Sequence, residues 1–252
     1  MENTVDKSKV YLQEIDKKTA KEMIVKHHYS HRGSSCRYAI GIYYKSDNPH
    51  PFFKDTSEEK LIGCMTYGYP VGRTVLGSMF NENVKLETNN ILELTRLFIH
   101  DGYGKNIESY CISQSFKWLK KHDENVKTLI SYADPDVLHL GGIYKATNWL
   151  YQGAGLNLMP NYSISLTKDP YEWIHSRTVS SRFGSHNIIK LKEAVGHTFW
   201  RRREPEKHRY IYFLGSKKEN KKFMKNLKYE TKPYPTNAEE YLPPIEEHKG
   251  SL

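Results

Sequence analysis

A mixed α/β fold, with one central sheet flanked by helices and a basic C-terminal extension, is predicted by three observations on the 252-residue sequence. Short β-branched and aromatic runs (Arg37–Lys45, Leu61–Tyr69, Asn90–Ile99, Lys127–Ala133) recur between turn formers, as strands do. Stretches with apolar residues at helical spacing alternate with them. The clearest is Lys105–His122, where Ile107, Cys111, Ile112, Phe116 and Leu119 form one stripe. The charge is also uneven: the net charge is +9, and between Gly196 and Lys232 alone 12 Lys and Arg stand against 4 Glu.

The remaining elements follow in order. Val10–Ile15 alternates like a strand, and Lys17–His27 reads as a helix through Ala20, Met23 and Ile24. His28–Arg37, rich in Ser, Gly and His, is a loop. The strands at Arg37–Lys45 and Leu61–Tyr69 are joined by an insertion containing Asp47-Asn48-Pro49, and Val71–Thr88 is irregular. After Asp134-Pro135, Tyr144–Asn148 predicts a short helix and Trp149–Gly153 the start of a strand. Beyond Pro170, Val179–Val195 and Glu219–Leu227 predict helices flanking a strand at His208–Leu214. This divides the chain into a core (1–170), a basic helix–strand–helix extension (171–235) and an acidic tail with Pro243-Pro244 (236–252).

Composition removes several classes. No apolar run approaches the ~18–20 residues that cross a bilayer, and the polar stretch Met1–Lys9 is unlike a signal peptide. Cys36, Cys64 and Cys111 lack CxxC spacing, which argues against a disulfide scaffold and for a reducing cytoplasm. Lys and Arg interleaved with Trp200, Tyr210, Tyr212 and Phe213 suit a polyanion, because cations neutralise phosphates while rings stack on bases. Arg177, Arg182, Arg201, Arg202, Arg203, Lys217 and Lys218 are the candidate DNA contacts. The competing reading of the lysine run is a solvated helix face.

The sharpest chemical feature is the turn Asp101-Gly102-Tyr103-Gly104-Lys105-Asn106, between a strand and a helix. Such a turn aims unpaired N–H groups and the positive end of the helix dipole at one spot, which favours an anion. Gly102, Gly104, Lys105 and Asn106 are therefore the candidate cofactor-binding residues; a plain tight turn is the alternative. The geometry resembles the N-acetyltransferase (GNAT) superfamily, where this turn grips the pyrophosphate of acyl-coenzyme A. The position three residues before the first glycine, Arg or Gln in that superfamily, is Ile99 here.

Four further segments occur in order: His28-Tyr29-Ser30, Glu93-Leu94-Thr95-Arg96-Leu97, Asp134 through Trp149-Leu150-Tyr151-Gln152-Gly153, and Lys207 through Gly215. With these, the chain from about residue 8 to 235 resembles the Mom-type DNA-modification proteins of bacteriophages, a divergent GNAT-like family. The resemblance implies a GNAT-like transferase that converts adenine in double-stranded DNA to a carbamoylmethyl-type derivative, shielding the DNA from restriction. It also implies iron, and functional roles for His28, Arg96, Ser109, Asp134 and Tyr144. The donor would be acyl-CoA or another activated molecule.

Each position has a physical reading of its own. Imidazole and carboxylate (His28, Asp134) bind a metal or pass a proton. Arg96 holds a phosphate or carboxylate bidentately, or pairs with Glu93. Ser109, one turn into the helix, donates to an anion or packs against the sheet; Tyr144 protonates a leaving group or fills the core. The adenine amine is a weak nucleophile, stacked and paired inside a duplex, so chemistry on it requires a flipped base. Two rivals stay open: an acyl-CoA-dependent N-acyltransferase acting on a small molecule, protein or tRNA, and a nonenzymatic DNA-binding protein. The catalytic reading expects Gly104 and Asp134 to share one cleft.

Overall fold

A computed structural model describes residues 4–46, 58–70, 75–154 and 160–250. In chain order the elements are β1 (Val10–Glu14), α1 (Lys17–His27), β2 (Tyr38–Lys45), β3 (Glu59–Gly68), α2 (Val75–Met79), β4 (Ile91–Ile99), α3 (Ile107–His122), β5 (Thr128–Ala133), α4 (Gly142–Ala146) and β6 (Leu150–Gly153). There follow β7 (Tyr162–Ser165), α5 (Ser176–Phe183), α6 (Ile188–Val195), β8 (Phe199–Arg203), β9 (His208–Phe213), α7 (Lys217–Lys225) and β10 (Ile245–His248). No helix among the described residues is long and apolar enough to cross a membrane.

The chain forms two compact units. The first comprises Met1–Tyr132, Gly141–Gln152 and Arg209–Tyr234, and carries a seven-stranded mixed sheet in the order β1-β2-β3-β4-β5-β9-β6. β9 and α7, from the segment expected as an extension, thus belong to it. Asp16 starts α1 by accepting from the N–H groups of Lys18 (2.8 Å) and Thr19 (3.2 Å), and α1 buries Ala20 and Ile24, one turn apart, against Ala39 and Cys64. A second cluster joins α2 and α7 to the sheet through Met79, Phe80, Ile91, Ile130, Ile211 and Phe223. α3 buries the stripe expected from its sequence.

The second unit comprises Ala133–Leu140, Gly153–His208 and Pro235–Leu252. Its antiparallel sheet, β10-β8-β7, and its core of Ile164, Val179, Leu191 and Phe199 are not foreseen by the sequence pattern. The single helix expected over Val179–Val195 is two. Gly184, at φ +72°, closes α5, and the Asn187 side chain opens α6 by accepting from Ile189 N–H at 2.9 Å. Val75–Met79 forms a short helix inside the stretch read as irregular, and Asp47-Asn48-Pro49 lies outside the described residues.

One glycine positions the loop that follows α1. Arg37 N–H donates to Tyr67 O at 2.7 Å, which draws Ser35 so close to Gly68 that a Cβ there would overlap the Ser35 carbonyl. Gly68→Ala is expected to displace this loop and destabilise the protein by roughly 1–3 kcal/mol, as overpacking does. Denaturant unfolding of the variant measures it, and an unchanged midpoint would show that the loop yields freely.

Candidate active site

β4 and β5 are parallel neighbours only at their beginnings: Ile91 opposes Thr128, Leu92 opposes Leu129 and Glu93 opposes Ile130. Beyond that point β4 stays with β3 and bulges there, Thr66 facing Arg96 while Tyr67 faces Leu94, so that Thr95 is the extra residue. Where the strands part, the Leu94 carbonyl accepts from the Ser131 hydroxyl at 2.8 Å, satisfying a backbone group that has left the ladder. Ser131 Oγ also lies 2.7 Å from Tyr144 Oη. The serine has one proton and gives it to the carbonyl, so Tyr144 donates to Ser131. Tyr144, buried on α4, has its pKa pushed up to about 12, first by burial. The Ser131 hydrogen bond opposes that rise, and Tyr29 and Glu93 add to it. Its proton is therefore held firmly at neutral pH.

The loop after α1 closes over this region of β4. Ser34 Oγ donates to Thr95 Oγ1 at 3.0 Å, and Thr95 Oγ1 lies 3.2 Å from Ser35 O. His28 is buried; its Nδ1 accepts the Ser30 N–H at 3.1 Å, and its ring packs on Tyr29 with centroids 4.2 Å apart. Arg96 donates through Nη1 to Thr95 O at 2.6 Å. Its Nε lies 3.4 Å from Arg32 O.

At the glycine turn, Gly102 (φ +94°), Gly104 (φ +100°) and Asn106 (φ +66°) turn the chain into α3, which starts without a side-chain cap. The N-terminal segment runs alongside, Val5 N–H donating to Lys105 O at 3.1 Å. Beside this turn opens a cavity of about 470 Å³, lined from α3, from the residues after α4 and from the N-terminal segment. Lys7, Lys117 and Lys120 face it together with Asn106, Ser109 and Asn148, and its described lining contains no carboxylate. The Ser109 hydroxyl donates to Asn106 O at 3.0 Å. With three lysines and no carboxylate among its described lining, the cavity favours an anion.

Of the five positions given by the family resemblance, His28, Arg96, Ser109 and Tyr144 belong to the first unit and Asp134 to the second. Asp134 caps the turn Pro135–Val137, accepting from Asp136 N–H at 3.1 Å, and pairs with Lys207 at 3.1 Å. No group of three or more His, Cys, Asp or Glu converges among the described residues. Asp134 is engaged by Lys207 and His28 Nδ1 by Ser30.

The arginine triplet is occupied. Arg201 lies over Tyr162 (3.6 Å) and pairs with Glu246 (3.7 Å), Arg202 grips Asp136 through two bonds of 2.5 and 2.7 Å, and Arg203 pairs with Glu206. Arg182 lies over Phe183, and Arg177 sits in the first turn of α5. By contrast Lys217, Lys218, Lys221, Lys222 and Lys225 are exposed along α7, with no ion pair among the described residues.

A large mixed sheet flanked by helices, with two parallel strands parting over a serine–tyrosine pair, defines the class of fold expected from the sequence. Residues 9–236 match the Mom protein family, and the chain belongs to it. It is 26% identical over 224 residues to the methylcarbamoylase mom of Escherichia phage Mu, covering 86% of this chain and 79% of that protein. Among solved structures it is similar to spermidine N-acetyltransferase from Vibrio cholerae in complex with CoA and spermine (TM-score 0.40, 7% identity, 82% of this chain and 96% of that one). It is also similar to an N-acetyltransferase from Staphylococcus aureus Mu50 (TM-score 0.38, 10% identity, 81% and 97%).

Sequence reasoning missed Ser131 and the cavity lysines. A serine inside the buried strand Thr128–Ala133 was the available signal for the first, and Lys117 and Lys120, three apart on α3, for the second. Because the Tyr144 pKa of about 12 exceeds the ordinary 10.0, its neutral hydroxyl stabilises the fold fully below pH 10, and the contribution fades as pH rises toward 12. The stability difference between wild type and Tyr144→Phe should narrow across that window in denaturant unfolding. A difference constant from pH 9 to 12 would contradict the buried, donating hydroxyl.

Proposed function

We propose that this protein is a phage-type DNA-modification enzyme that adds a carbamoylmethyl-like group to the exocyclic amine of adenine and so protects the DNA from restriction. The observation that carries the reading is the match of residues 9–236 to the Mom protein family. The name of the phage Mu relative, methylcarbamoylase, supports the type of group moved. The target adenine leaves the stack at a cost of a few kcal/mol. The unpaired lysines of α7 hold backbone phosphates, and the Lys7–Lys117–Lys120 cavity takes an anionic activated donor whose leaving group sits on the methylene carbon that is transferred. In the transfer one N–H of the amine gives way to an N–C bond. The proton passes to a base, the role proposed for Asp134, and the leaving group departs with the bonding pair. Tyr144, protonated through neutral pH, is the acid for that group.

Mass spectrometry of nucleosides from cells expressing the protein should show a modified adenosine, reduced about 100-fold or more by Tyr144→Phe and by Asp134→Ala. Unmodified adenine with the wild type would overturn the reading, and tight coenzyme A binding in that case would favour the N-acyltransferase. Replacing Lys217, Lys218, Lys221 and Lys222 by Ala should flatten the salt dependence of DNA affinity by about 0.9 in slope for each phosphate that is no longer neutralised. Changing Arg201, Arg202 and Arg203, already paired with carboxylates, should leave that slope nearly intact. Equal slopes for the lysine variant and the wild type would remove α7 from the interface.

A further inference from the structure

Leu138 is unfavourable on two counts. Its side chain is 63% exposed, with Val137 beside it at 40%. Its backbone is left-handed, at φ +58°, where a Cβ crowds the chain and glycine or asparagine is the ordinary choice. The turn beneath it is nevertheless fixed at every step. Pro135 is buried, and Asp136 is held by its N–H on the Asp134 carboxylate and by Arg202 on both of its own oxygens. Leu138 N–H then donates to Pro135 O at 2.9 Å, and His139 N–H to Asp134 O at 3.1 Å. All of these residues belong to the second unit.

A strained backbone that its surroundings over-determine points to a use for what it presents, and here it presents a branched aliphatic side chain to solvent. The position says what that side chain meets. The turn closes back on Asp134, the residue proposed above to take the proton from adenine. Lys207, whose side chain is 56% exposed, lies against the same carboxylate and is within reach of a DNA phosphate. An adenine drawn out of a duplex toward Asp134 therefore leaves its vacancy beside this tip. That vacancy is apolar, bounded by the faces of two neighbouring bases, and it closes again unless something fills it; proteins that unstack DNA insert leucine and similar side chains for this purpose.

We propose that Leu138 is a wedge that enters the base stack of double-stranded DNA and occupies the place of the extruded adenine, with Val137 against the adjoining base. The proposal rests on the adenine-modification reading and adds to it a residue that acts on the duplex rather than on the reacting atoms.

The test compares a single-stranded circular DNA with its double-stranded form, each incubated with purified protein in a bacterial extract that supplies the donor. Modified adenosine is counted by mass spectrometry. In Leu138→Ala the ratio of double-stranded to single-stranded modification should fall about tenfold or more, because only the stacked adenine needs a wedge. Leu138→Met, which keeps an apolar side chain of similar volume, should hold that ratio near the wild-type value. Leu138→Gly should lower the ratio as alanine does, yet unfold at a temperature no lower than the wild type, since glycine relieves the left-handed backbone. An unchanged ratio in the alanine variant would overturn the wedge alone. So would a wild type active only on the double-stranded form, or a glycine variant of reduced thermal stability, which would mark the side chain as a packing element. A change of sedimentation in the alanine variant, with equal losses on both DNAs, would assign the tip to a protein contact instead. Modified adenosine in neither form with the wild type would overturn the DNA reading and the wedge together.

Discussion

The Ser131 hydroxyl governs the active region. Two parallel strands that separate leave carbonyl and amide groups facing each other across a gap, and a gap inside a protein tolerates few unpaired polar atoms. Here one side chain closes that deficit at Leu94 and, with the lone pairs left on its oxygen, receives Tyr144. One hydroxyl thus ties the parting strands to the buried tyrosine, while the firmness of the tyrosine's proton comes from its burial. Thr95 does the same on the neighbouring side. The bulge gives β4 a residue that answers to the loop after α1 rather than to the ladder, and the loop carries His28 and Tyr29 with it.

Charge is sorted by whether it has a partner. The triplet Arg201–Arg203 looks in the sequence like a landing strip for phosphates, yet β8 places its members against Glu246, Asp136 and Glu206. The lysines of α7 belong to a nine-residue helix held by the single buried Phe223, with Glu219 the lone acid within it. The two regions contribute comparable positive charge to the composition and very different fields to the surroundings.

Periodicity made the first unit legible, since its strands and α3 carry clean two- and 3.6-residue patterns. The second unit was not. β7 and β10 are four residues each, and β8 reads Phe-Trp-Arg-Arg-Arg, a sequence whose cations hide its alternation. Arg202 turns inward on that strand because Asp136 and the ring of Trp173 (4.0 Å) receive it, and no local pattern announces a partner so distant in the chain. At the site, Tyr144 and the glycine turn could be read from motif and order. Ser131 could not, because what marks it is the state of its hydrogen bonds, which depends on the folded arrangement of distant segments.

β9 lies between β5 and β6 in the sheet, although the chain reaches it only after traversing Gly153–His208. During synthesis β5 and β6 leave the ribosome first, each with an unsatisfied edge on the side that β9 will occupy, and Ile211 and Phe223 are still missing from the apolar cluster beneath them. The sheet therefore completes only by late insertion of an interior strand rather than by growth from an edge. Release of the C-terminal third of the polypeptide is the event that commits this protein to its native state.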